Sequence, residues 1–389
     1  MHIARREFIA SLAGTAALGR ATQQAGSIES FELFHVKVNH RGNWLLLRVK
    51  TSKGITGLGD ASHAQPDTRT MELIGEYFTW IRGRTPFDVE PYRTALMEKA
   101  GLAKRPGAVA FSAIEQCLHD IQGKALGVPT WALFGGRLRN SIAHYANINR
   151  ATTDRSPAGF AALAEPAVKA GFDTIKMASF DGLPKDDAAK RKAATQLGID
   201  CVAAVRKTIG PSRKLFVDGH SNFTLQEGLD VTKRLEPLNL GWWEEAVPGI
   251  ENLARINAAA RMPTAGGESL FGLKQFYPYV AGNAVDIVMP DVKYCGGMLE
   301  LKKISALAEG AGLTSAPHGP ASPIGNMAAA HVSATLNNFL ILELGFGEVP
   351  WRAELITPAE TFTQGHLELT DRPGLGIELN DRLARAHAV

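Results

Sequence analysis

Cysteine is scarce in this chain: Cys117, Cys201 and Cys295 are the three in 389 residues, widely spaced and without CxxC pairing. That excludes a disulfide framework and a cysteine zinc site, and leaves three small apolar side chains expected in the interior. Charge of one sign is lacking too. A formal net charge of +3 without a dense Lys/Arg run offers no stripe to track a phosphate backbone, so nucleic acid is excluded as a partner. No apolar run approaches the roughly 20 residues that span a bilayer. What is present, 45% hydrophobic and 21% charged residues, is ordinary for a globular protein. The length allows two domains or one large barrel with additions.

The chain begins with a basic pair, Arg5-Arg6, then Phe8-Ile9 and a charge-free, mildly apolar stretch to Gly19. This is the order of a twin-arginine export signal, with a tail carrying two chance arginines as the alternative. With the signal, the mature protein would start near Ala21 to Ser27 and work in the periplasm; without it, in the cytoplasm. Residues 28–60 read as strands separated by turns at Gly42-Asn43 and Lys53-Gly54, and residues 70–135 read as helices, the clearest ending at Gly127 and Pro129. Strands first and helices after suggest a small α+β domain over 28–140. From Ser141 to about 349, short apolar runs alternate with helical segments. Eight strand candidates, from "IAHYANI" to "FLILELG", are what a (β/α)₈ barrel of the α/β class requires. Residues 350–389 have a weaker pattern and are expected to pack back on the first domain.

The ends of those strands carry the chemistry. The second bears Lys176, the third ends in Asp218 with His220 behind it, and the fourth carries Glu244-Glu245. The fifth ends in Glu268, the sixth in Asp291 followed by Lys293, the seventh in His318, and the eighth carries Glu343. In such a barrel the C-terminal strand ends share one mouth. Carboxylates from three consecutive strands would repel one another there, and a hard divalent cation with oxygen ligands removes the repulsion. Mg²⁺ suits such a site. Each residue has a plain reading alone: Asp218-Gly219 as a turn, Glu244-Glu245 as a solvated helix start, Lys176 as a surface lysine. Their joint place at successive strand ends argues for one site.

These motifs together resemble the enolase superfamily, in its mandelate racemase-like branch. The resemblance spans nearly all of residues 28–380 and rests on "SAIEQCLHDIQGKALGVPTWALFGG", "VDGH", "WWEEAV", "GGES", "VMPDVKYCGGM" and "APHG", with the strand-end residues from Asp218 to His318 at intervals of 23 to 27 residues. It implies that Asp218, Glu244 and Glu268 hold one Mg²⁺ per subunit, with Glu245 behind them. It implies that Asp291 orients His318 as general base, and that Glu343 hydrogen-bonds the substrate carboxylate and steadies the enediolate. Racemases and cycloisomerases of the branch usually carry a second lysine where "TIKMAS" has Ala178. The asparagine usual after the metal-binding aspartate is replaced by His220. Asp-x-His resembles the acid-sugar dehydratases of the galactonate type, in which the histidine protonates the departing hydroxyl.

The expected activity is therefore loss of water from a small-molecule sugar acid, by removal of the C2 proton and elimination of the β-hydroxide to a 2-keto-3-deoxy acid. A racemase or epimerase on the same scaffold, with His220 serving the second face, is the alternative, and a non-catalytic sugar-acid binder is a third. A homo-oligomer is expected. For the pocket wall, the sequence points to "NHRGNW" (His40, Arg41 and Trp44, with ordinary turn contacts as the alternative), "GDASHAQP", and Asn147, Asn149 and Arg150. The stretch after Lys176, "FDGLPKDDAAKRKAATQLG", reads as a lid edge or a solvated insert.

Overall fold

The computed structural model describes residues 19 and 21–389; Arg5-Arg6 and the apolar stretch to Leu18 lie outside the described residues. Residues 21–25 form a short helical segment whose Ala25 is buried. Three antiparallel strands follow: β1 (Ile28–Asn39), β2 (Gly42–Thr51) and β3 (Thr56–Asp60), in the order β1-β2-β3. Gly42 makes the first turn at φ +132°, a conformation side chains avoid. Three helices then cover the sheet: α1 (Asp67–Ile81), α2 (Val89–Leu102) and α3 (Lys104–Leu126). α3 stops at Gly127, whose φ of +70° forms the left-handed cap expected there.

α3 is buried on nearly every side, so its polar residues must find partners. Gln116 Oε1 accepts from the Asp60 amide at 3.0 Å, and Asp120 Oδ2 accepts from the Leu58 amide at 2.9 Å. Glu115 reaches across to the barrel and takes the free amides of Met298 and Leu299, at 2.7 and 2.9 Å, which open a barrel helix. Those amides have no partner in their own first turn, and a carboxylate there also suits the helix dipole. The polar letters of "SAIEQCLHD" thus tie the two units together.

The sheet lies directly on the α3 backbone. A Cβ on Gly57 would sit 2.2 Å from the Cys117 carbonyl oxygen, and one on Gly59 2.1 Å from that of Ala113. Gly59→Ala is expected to destabilise the protein by about 1–3 kcal/mol through overpacking, seen as a lower denaturant midpoint. An unchanged midpoint would mean that the sheet lifts off the helix freely.

Eight parallel strands form the barrel: β4 (Ser141–Asn147), β5 (Thr174–Met177), β6 (Lys214–Asp218), β7 (Trp242–Glu244), β8 (Thr264–Gly266), β9 (Ile287–Val288), β10 (Thr314–Ser315) and β11 (Leu342–Gly345). Neighbours in sequence pair in parallel from β4 to β10, and β11 pairs with β4. The ring closes where the Ser315 amide donates to Asn338 O and the Leu340 amide to Ser315 O, both at 2.9 Å. All eight stand where the sequence rhythm placed them. Inside lies a plug of Tyr145, Phe216, Trp242, Ala265, Ile287, Met289, Ala316 and Ile341. It separates the barrel's lower end from the mouth where the strands terminate.

Two readings need revision. The stretch after Lys176 is not an insert: from Ala188 it is the first half of a 22-residue barrel helix, Ala188–Ile209, and only 178–187 is loop. Trp44 faces the interior, fully buried and edge-on to Trp351 at 5.7 Å, so it does not line the mouth. The C-terminal residues touch both units: His366–Glu368 pairs antiparallel with the start of β4, Asp381 pairs with Arg48, and the Val389 amide donates to His35 O at 3.0 Å.

Candidate active site

The strand ends converge at a cavity of about 420 Å³. Lys176, His220, Glu268 and His318 line it, together with Asn147, Asn149 and Arg150 from the end of β4 and the residues just after it, and His40, Arg41, His63 and Gln65 from the capping unit. Asp218, Glu244, Asp291 and Glu343 lie just beneath, none more than 1% exposed. This is the gathering that the barrel topology demands, since a parallel strand aims its last side chains into the common mouth.

Lys176 sits among three acids. Its ammonium donates to Glu244 Oε1 at 2.6 Å, and lies 3.2 Å from Asp218 Oδ2 and 3.7 Å from Glu343 Oε1. Burial alone would favour the neutral amine, but Glu244, Glu343 and Asp218 outweigh it and raise the lysine's pKa. Glu244 Oε2 accepts from Trp242 Nε1 at 2.9 Å, so the plug also orients this carboxylate. Glu343 accepts from Asn147 Nδ2 at 2.5 Å and from the Gly319 amide at 3.0 Å.

Two imidazoles flank the acids, each held by an aspartate. His318 Nδ1 lies 2.6 Å from Asp291 Oδ2 and its Nε2 3.0 Å from Glu268 Oε2. An ionised carboxylate only accepts, so Nδ1 carries a hydrogen and Nε2 faces the cavity. Asp291 is itself fixed by the Lys293 amide at 2.7 Å, with the Lys293 ammonium 3.3 Å away. His220 repeats the arrangement. Its Nδ1 bonds Asp181 Oδ1, and its Nε2 is 3.0 Å from Asp218 Oδ2.

Whether these residues fit a cation can be judged from their electrostatics. Asp218 Oδ2 and Glu268 Oε2 are buried and accept no hydrogen bond, although an imidazole Nε2 stands 3.0 Å from each. Glu244 has both oxygens engaged, yet each carboxylate oxygen offers two lone pairs, so Oε1 can serve Lys176 and a metal together. Burial, with Asp218 next to it, raises the Glu244 pKa despite the ammonium at 2.6 Å. Burial and then Glu268 push Glu245 up to about 7. For both imidazoles burial pulls down, but Asp218 and Asp181 around His220, and Glu268, Glu343 and Asp291 around His318, more than compensate and raise them. His318 in turn holds Glu268 down to about 2 against the effect of burial. The raised lysine, imidazoles, Glu244 and Glu245 mark an excess of negative charge, while Asp218, Glu268 and Glu343 are lowered, against burial, by the cationic groups beside them, a carboxylate-rich set that a cation would suit. Among the described residues, ligand atoms of Asp218, His220 and Glu268 all lie within 4.8 Å of one another, a group that includes His220 and not Glu244.

Sequence reasoning placed the strand-end residues but missed Asp181, Arg105 and Tyr294. Tyr294 and Arg105 line the cavity, with the guanidinium 4.5 Å above the tyrosine ring. Asp181 lies in the loop after β5, four residues beyond Met177, where strand-end spacing gives no signal.

Residues 33–135 match the family described as mandelate racemase/muconate lactonizing enzyme, N-terminal domain, and residues 159–383 match that described as enolase C-terminal domain-like. The chain is 31% identical over 389 residues to D-xylonate dehydratase of Haloferax volcanii, covering 95% of this chain and 92% of that protein. It is also 31% identical over 352 residues to D-galactonate dehydratase of Pectobacterium atrosepticum, covering 87% and 90%. A mandelate racemase/muconate lactonizing enzyme-like protein from Rubrobacter xylanophilus superposes with a TM-score of 0.86 at 30% identity, over 94% of this chain and 98% of that one.

Proposed function

The chain belongs to the mandelate racemase/muconate lactonizing enzyme family of the enolase superfamily, and from that premise we propose that it removes water from a sugar acid to give a 2-keto-3-deoxy acid. The observation that carries the reading is the pair of carboxylate-held imidazoles whose Nε2 atoms each stand 3.0 Å from an acid of one cluster, Glu268 for His318 and Asp218 for His220. One can take a proton and the other give one.

Asp218, Glu244 and Glu268 would hold a divalent cation, Mg²⁺ by the all-oxygen carboxylate set. When bound, it supplies positive charge against the negative charge that develops on the substrate's carboxylate oxygens. Lys176, already among the acids, adds to that field from the protein side. Glu343, fixed by Asn147 and Gly319, stands beside His318 at 3.5 Å, and in its protonated form it would donate a hydrogen bond to the same carboxylate end. His318 Nε2 takes the C2 proton, and its pair of electrons enters the enediolate. As that collapses, a C2–C3 double bond forms and the C3–oxygen bond breaks. His220 Nε2 gives its proton to the leaving oxygen, which departs as water. The enol then tautomerises to the keto acid. Asp291 keeps the hydrogen of His318 on Nδ1, so the receiving nitrogen always faces the substrate. The reading includes export through the Arg5-Arg6 motif and work outside the cytoplasm.

The test is a sugar-acid library with Mg²⁺, read by keto-acid formation. His220→Asn should lower dehydration of the best substrate by about 10²–10⁴-fold while C2 proton exchange persists. Two facing imidazoles would also serve an epimerase, which leaves the substrate's mass unchanged. Epimerised product with no keto acid from any sugar acid would replace the dehydratase reading with that one.

A further inference from the structure

The His220 imidazole stands on a turn that is unfavourable by itself. His220 and Ser221 adopt φ of +44° and +53°, left-handed backbone that residues other than glycine adopt only at a cost. Such a turn needs support from elsewhere, and the ring on it needs an anchor if it is to hold one orientation. The anchor is Asp181, on the 178–187 loop that the strand pattern did not single out. One oxygen takes the His220 Nδ1 hydrogen. The other accepts from Asn149 Nδ2 at 3.3 Å and lies 3.3 Å from Arg155 Nη2 and 3.5 Å from Arg41 Nη1.

We propose that Asp181 is a positioning residue for the leaving-group acid, and that the capping unit completes the pair by reaching Asp181 through Arg41. The inference rests on the dehydratase reading. Asp181–His220 mirrors Asp291–His318: an aspartate oxygen on Nδ1, with Nε2 3.0 Å from an acid of the cluster. The hydrogen held on Nδ1 leaves Nε2 as the nitrogen that exchanges its proton with the substrate. Arg41 lies in the loop between β1 and β2, and its own carbonyl faces Arg150 Nη2 at 3.5 Å. Its guanidinium, one-third exposed, therefore joins the capping loop to the carboxylate that aims the acid. A capping loop drawn down over a substrate would steady the acid at the moment it is needed, whereas the His318 base is built from barrel residues alone.

The experiment measures dehydration and solvent deuterium exchange at C2 on one sugar acid, with Mg²⁺ affinity as a third readout. Asp181→Asn should lower kcat for dehydration by about 10–100-fold, the usual cost of losing such an orienting partner, with exchange falling much less and metal affinity held. Asp181→Glu should recover part of the loss, and Arg41→Gln should show a milder form of the same split. If exchange and dehydration fall by equal factors in both Asp181 variants, the aspartate only holds its loop and the proposal is overturned. A fall in Mg²⁺ affinity with both rates lost together also overturns it, because His220 would then be a ligand. A dead His220→Asn beside a fully active Asp181→Asn overturns this inference alone. A wild-type protein that dehydrates no sugar acid brings down the dehydratase reading with it.

Discussion

His318→Asn is expected to abolish both C2 proton exchange and dehydration, by about 10⁴-fold, the upper range for loss of a general base and about 5.5 kcal/mol of transition-state stabilisation. The reason is positional. Nε2 of His318 is the nitrogen turned to the cavity between Glu268 at 3.0 Å and Glu343 at 3.5 Å, while Nδ1 is committed to Asp291. Asparagine can still donate from its amide to Asp291, so the buried carboxylate keeps a partner and the fold should survive. It has no atom able to take a proton. Because abstraction precedes elimination, the two rates must fall together, unlike the split expected for His220→Asn. Exchange that persists within tenfold of wild type in His318→Asn would assign the base to another residue.

How much of this site the sequence reveals depends on how each residue is placed. Asp218, Glu244, Glu268, Asp291, His318 and Glu343 sit at or just past the ends of apolar runs, and the parallel barrel turns that one-dimensional feature into a shared mouth. Asp181 follows no run, and its position is set by the path of a loop, which alternation does not encode. The 188–198 stretch is rich in Ala and Lys, and such composition suits a solvated insert as well as the outer face of a helix. Trp44 was expected at the mouth because its turn is there; strand alternation carries its side chain inward instead. His63 and Gln65 line the wall as expected of the "GDASHAQP" stretch, but their φ of +67° and +39° is a backbone detail that no residue type there announces.

Exhaustive chelation is expected to abolish dehydration while leaving the fold in place, with activity restored by Mg²⁺. The loss should reach about 10³-fold or more, the equivalent of the several kcal/mol that a metal contributes to charge stabilisation. The fold should persist because the chain carries its own partial substitute. Lys176 lies 2.6 to 3.7 Å from three of the acids, and His220 and His318 are both raised by the same carboxylates, so protonated rings can stand in for some of the missing charge. These groups cannot replace the cation in catalysis, since a protonated His318 has no lone pair with which to take the C2 proton. Stability should still rise on adding metal, by about 2.7 kcal/mol at a hundredfold excess over Kd, and Glu268→Gln should blunt both that rise and the activity. Full activity in protein shown to be free of metal would remove the reason for three carboxylates to meet at these strand ends, and the proposed reaction with it.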